Sequence, residues 1–249
     1  MLYQYKKKRT FLFNQYKYNL CINIDSYCYY QTGISNLEFS YNTKISLQEV
    51  SKIGCYENVI QTPTRDVVKG KLFGINFVSY DALIRSGTSI QDKNSHRVLF
   101  SGKLFKLQLQ PLKEGKLIFY LKGSGDSHPT ELKGLEPVKI RDLKEEYLVF
   151  SSFENPSSML PKKAIEILNK IKIDSVVEDV IISINENGVF IGYSLTSKYM
   201  AIPYSEEIDN VFIDHYKEDI FLISNFASIL STNKNYNKLE SNEFDIEIS

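Results

Sequence analysis

The chain predicts an α+β fold: a mainly antiparallel curled sheet or open barrel with about two helices packed on it. Three observations lead there. Short runs rich in Val, Ile, Phe and Tyr recur along most of the chain, separated by turn residues. Only two segments, 158–172 and 217–230, repeat apolar residues at helical spacing. The composition, 43% hydrophobic with 17 Tyr, 15 Phe and no Trp in 249 residues, suits a packed β-rich core and argues against disorder.

The elements follow in order. Ile34, Leu37, Phe39 and Tyr41 alternate in part after a turn at Thr32-Gly33, so a strand is expected there. Residues 47–53 fit a short helix or a strand. Gln61-Thr62-Pro63-Thr64 is a breaker. Strands are expected at 66–72, 73–79, 97–101 and 103–109, with a polar loop at 91–95. A turn at 111–116 precedes a strand at 117–121. Gly123-Ser124-Gly125-Asp126 opens the clearest flexible loop, and strands follow at 138–140 and 146–151. In the helix at 158–172, Ser157 or Ser158 serves as cap, Pro161 falls in the first turn, and Leu160, Ala164, Ile167, Leu168 and Ile171 share a face. Strands at 180–184 and 189–195 flank Asn185-Glu186-Asn187-Gly188, where Asn-Gly signals a tight hairpin turn. The helix at 217–230 sets Ile220, Ile223, Ala227 and Leu230 on one stripe. Beyond Ser231 the chain is polar, and Glu240, Glu243, Asp245 and Glu247 predict a frayed acidic end. The organisation expected is a basic, aromatic segment (1–20), one α+β domain (21–230) and an acidic tail (231–249).

Charge is balanced at 30 basic and 30 acidic residues, so no global argument for nucleic-acid or membrane binding exists. No apolar run approaches the roughly 18–20 residues that span a bilayer. Asn14, Gln15 and Lys17 interrupt any signal-peptide core. Cys21, Cys28 and Cys55 are odd in number and match no zinc spacing, which predicts reduced thiols and a cytoplasmic location.

One stretch carries a family resemblance. Asp66-Val67-Val68-Lys69-Gly70 is followed by Gly74, the apolar Ile75 and Phe77, Asp81, and then Phe100-Ser101-Gly102-Lys103-Leu104-Phe105. Further on come Tyr147-Leu148-Val149-Phe150, Met159-Leu160-Pro161 and Asn187-Gly188-Val189-Phe190. This order resembles bacterial domain-of-unknown-function family 3137, whose members are often mislabelled "galanin". Ser101 stands where that family usually has lysine. The family carries no known activity. Its members usually open with a long helical region containing two membrane spans, and the present chain is read as lacking it. The resemblance therefore implies a non-enzymatic interaction or scaffold domain, cytoplasmic and peripheral to a membrane, with an unidentified protein partner and no cofactor.

Site candidates are few. Gly70 and Gly74 lack the closing Gly-Lys-Ser/Thr of a phosphate loop, and glycine in a strand marks a bulge or a close backbone approach. Asp66 and Asp81 form an acidic pair that would support a hydrolase if the carboxyl groups converged; a carboxylate bonded to turn N–H groups is the commoner arrangement. His96, His128 and His215 are too scattered for a metal site, and none is expected. Lys6, Lys7, Lys8 and Arg9, set among Tyr3, Tyr5, Phe11, Phe13, Tyr16 and Tyr18, are the sharpest binding candidate. Such a cluster can hold an anionic lipid surface or a nucleic-acid backbone. The bland alternative is a solvated terminal run.

Overall fold

The computed structural model describes residues 26, 29, 34–40, 43–61, 64–87, 96–121, 123, 132–173, 177–195, 210–239 and 246–248. Its centre is an antiparallel sheet that curls without closing. In spatial order, with strands numbered along the chain, it runs β1 (Ile34–Ser40), β4 (Thr64–Leu72), β5 (Ile75–Ser86), β6 (Arg97–Leu107), β12 (Gly188–Leu195), β11 (Val177–Asn185), β8 (Leu117–Leu121), β10 (Tyr147–Ser151) and β9 (Glu136–Pro137). β3 (Val59–Gln61) pairs with β5. Two small ribbons complete it. β13 (Tyr236–Lys238) pairs with β7 (Leu109–Pro111), and β14 (Ile246–Ile248) pairs with β2 (Thr43–Ile45). Residues 236–238 and 246–248 thus have strand partners, where a frayed end was expected. The α+β class predicted from the sequence holds.

Both faces of the sheet are covered, and this governs its strands. Alternate residues Phe77, Phe105, Leu107, Phe119, Leu121, Ile182 and Ile191 pack in one core with helices α2 (Lys162–Leu168) and α3 (Asn210–Ser231). The intervening residues Val78, Leu104, Ile118, Tyr120, Ile181 and Phe190 form a second core with Val50 and Ile53. The latter two belong to α1 (Leu47–Ser51) and the loop after it. β8 is buried at all five positions for this reason. A continuous apolar run is the usual sign of a parallel strand under two helical layers. Here the second layer is a short helix and loop, and the ladder is antiparallel.

The helices divide by how local their signals are. In α3, Ile220, Ile223, Ala227 and Leu230 are all buried, each larger apolar side chain contributing about 1.5–3 kcal/mol. The helix predicted at 158–172 is broken instead. Pro156–Met159 forms a 3₁₀ turn, Leu160 and Pro161 are extended, and α2 begins only at Lys162. Pro161 explains this, because its ring forbids a helical conformation at the preceding residue.

Two turns also differ from expectation. At the β11–β12 hairpin the central residues are Glu186 and Asn187, since Asn185 pairs with Gly188. Asn185 Oδ1 accepts the Asn187 N–H at 2.8 Å, so a side-chain turn stands where an Asn-Gly turn was expected. A two-residue turn with both central residues at positive φ occurs between β4 and β5. There Phe73 and Gly74 both have positive φ, 50° and 76°, flanked by the pair Leu72 and Ile75.

β6 runs unbroken through Gly102, where two strands were expected. A Cβ at Gly102 would overlap the Tyr193 carbonyl of β12, so only glycine lets the two strands close. We expect Gly102→Ala to lower unfolding stability in urea by about 3 kcal/mol, since overpacking against backbone has nowhere to relax. Gly134, at φ 75° with open space around it, should lose only about 1 kcal/mol on the same change. Equal losses at the two positions would contradict this packing.

Candidate functional site

The richest cluster of chemically capable side chains sits between α1 and the second face of the sheet. Ser46 caps α1: its Oγ accepts the Glu49 N–H at 3.0 Å. The Glu49 carboxylate turns inward. Lys52 Nζ donates to its Oε2 at 2.9 Å, and Lys106 Nζ from the end of β6 donates to its Oε1. Glu49 is fully buried and Lys106 is 5% exposed. The ammonium also lies 5.4 Å from the Phe190 ring centre, where the ring face attracts a cation. Burying either ion alone would cost several kcal/mol, so each depends on the other.

Two polar side chains of β11 extend the contact. Ser183 Oγ donates to the Ile53 carbonyl at 2.6 Å. Asn185 Nδ2 donates to the carbonyls of Lys52 and Ile53 at 3.0 and 3.1 Å. These carbonyls lie at the end of a helix, where backbone acceptors lack intrahelical partners. The Tyr80 hydroxyl, deeply buried near Glu49, has no hydrogen-bond partner among the described residues. Burial, and then the Glu49 charge, push its pKa well above the ordinary tyrosine range.

Beside this cluster Cys55 is buried with Tyr56 and Tyr120. Burial pushes the thiol well above its ordinary 9.0, and hydrogen bonding to the two tyrosines only partly offsets that. A thiol held neutral is a poor nucleophile. The arrangement as a whole fastens α1 to the sheet and keeps Glu49, Lys106, Ser183 and Asn185 from water.

The residues singled out from the sequence fall elsewhere. Lys6, Lys7, Lys8 and Arg9 lie outside the described residues, as does His128. Asp66 lies in β4 and Asp81 in β5, neighbouring strands in which Asp81 pairs with Arg65. The Asp66 and His215 side chains also lie outside the description. Asp81 faces Lys103 Nζ at 3.7 Å. A Cβ at Gly70 would come within 2.6 Å of the Phe77 ring. Phe105 is a buried core residue beneath the helices. Among the described residues no group of three or more His, Cys, Asp and Glu is placed to hold a metal, and no helix is long and apolar enough to cross a membrane. Glu49 and Lys106 were not singled out. The spacing Ser46-Leu47-Gln48-Glu49 is a helix-start signature that could have drawn attention to Glu49. Nothing local marks Lys106.

No family model matches the chain, and no curated protein does. Among solved structures, the chain is similar to the crystal structure of the mycobacterial trehalose monomycolate transport factor A. The likeness has 12% identity and a TM-score of 0.48, over 85% of this chain and 94% of that one. At that level it carries no functional argument.

Lys106→Met should lower stability by about 3–5 kcal/mol, because it leaves a buried carboxylate without its main partner. The double change with Glu49→Leu should recover most of that loss in a double-mutant cycle. Additive losses would show that the two ions act independently. A second expectation concerns alkaline pH. Cys55 is raised above 9.0, and Tyr80, Tyr147 and Tyr236 above 10.0, chiefly by burial. The unfolded chain therefore loses these protons at lower pH than the folded one. Their contribution is intact below pH 9 and is lost as pH rises above it. Urea midpoints should fall from about pH 9 upward, and Cys55→Ala should remove the earliest part of the fall.

Proposed function

We propose that this chain is a non-enzymatic interaction or scaffold domain acting at the cytoplasmic face of a membrane, and a member of family 3137. The observation that carries the reading is the closure of the Glu49, Lys106 and Cys55 cluster. Its acid, amine and thiol are buried, and the acid and amine are committed to each other. Groups that perform chemistry need contact with a substrate, whereas these hold one layer of the fold to another. The motif order from Asp66 to Phe105 supports the family assignment, and the family's membrane-associated members support the location. A hydrolase built on Asp66 and Asp81 gains nothing from Asp81, whose carboxylate faces a lysine.

The test is to isolate the tagged chain from its own cells at native abundance after chemical crosslinking. The expected result is recovery with the membrane fraction, release by alkaline carbonate, and one protein partner in fixed stoichiometry. Recovery in the soluble fraction as a partner-free chain would overturn the reading.

A further inference from the structure

The β4–β5 turn is an anomaly that packing does not explain. Phe73 occupies the first position of a turn in which both central residues have positive φ. Asn or Gly is favoured there, and a bulky residue is a steric outlier costing free energy. The side chain gains little burial in exchange, being 48% exposed. Strain retained together with exposed apolar surface points to a contact made outside the molecule.

The surroundings indicate what that contact is. Lys238 Nζ donates to the Phe73 carbonyl at 3.0 Å, tying the turn to β13. At the other end of β13 the Leu112 N–H donates to the Asn235 carbonyl at 2.8 Å. Leu112 is 56% exposed, the most exposed large apolar residue described. The Leu239 N–H donates to the Gln108 carbonyl and the Gln108 N–H to the Asn76 carbonyl, so these three segments form one end of the fold. Segments 69–76, 108–116 and 231–239 hold six lysines (69, 71, 113, 116, 234 and 238) and one acid, Glu114; the neighbouring β11–β12 turn adds Glu186, and β1 sets Glu38 opposite Lys69. In a chain with 30 charges of each sign that is a local excess of cations. Exposed Phe and Leu among lysines match an interface with apolar depth and negative headgroups.

We propose that this end of the fold, with Phe73 at one end of the β7–β13 ribbon and Leu112 at the other, is a contact site for the surface of an anionic lipid bilayer. Phe73 enters the headgroup boundary while Lys71, Lys113, Lys234 and Lys238 meet the phosphates. The inference deepens the membrane placement proposed above and rests on it, but requires no protein partner.

The chain contains no Trp, so Phe73→Trp supplies a single reporter. With vesicles of phosphatidylcholine and phosphatidylglycerol, the introduced indole should shift to the blue and be quenched by brominated acyl chains. Neutral phosphatidylcholine vesicles should give a weaker shift, and added salt should reduce it. Phe73→Asn suits the turn, so it should fold at least as well as the wild type, yet bind anionic vesicles roughly tenfold more weakly in co-sedimentation. A chain with Lys6, Lys7, Lys8 and Arg9 changed to Gln should keep the indole shift. An unshifted indole, equal binding by wild type and Phe73→Asn, or loss of all binding in the Gln variant alone would each overturn the proposal. Loss here with recovery of a membrane-fraction partner in cells would leave the scaffold reading standing.

Discussion

The inward turn of the Glu49 carboxylate onto Lys106 determines how the second face of the sheet is covered. A helix of five residues has no stability alone, because nucleation outweighs the few bonds it makes. α1 persists because its carboxylate, its two apolar anchors and its terminal carbonyls all find partners on strands already in place. β6, in turn, can carry a lysine on a buried face only because α1 supplies the counter-charge. The pair adds little net energy compared with an apolar contact of the same volume. What it supplies is register, since a shift of one residue along α1 would leave both ions buried without partners.

Elements set by neighbours in sequence were legible, and those set by distant partners were not. The stripe of Ile220, Ile223, Ala227 and Leu230 is written within one helix and appears as read. Pro161 was accepted in a first turn, but its hold on Leu160 ends the preceding turn instead. Alternation was blurred in β5, β6 and β8 because both faces are buried, which removes the polar half of the pattern. The Asn187-Gly188 pair gave way to the Asn185 side chain, which satisfies the turn from outside the expected pair. Phe73 carries no turn signal at all; its backbone is held by the flanking pair of Leu72 with Ile75 and by Lys238. Of the candidate cluster, Glu49 was half-visible through its spacing from Ser46. Lys106 reads as an ordinary strand lysine until α1 is placed over it.

The strand order has a consequence for how the chain is made. β12 lies between β6 and β11, so the strand that completes one side of β6 begins at Gly188, while β6 ends at Leu107. At synthesis rates of roughly 5–20 residues per second, the ribosome needs on the order of 4–16 s to deliver that partner. For that interval β6 presents an open hydrogen-bonding edge with Phe100, Leu104 and Phe105 still uncovered. An unsatisfied edge of that kind recruits other nascent chains as readily as its own partner. The strand order therefore leaves the nascent chain open to edge-to-edge association through the middle of translation.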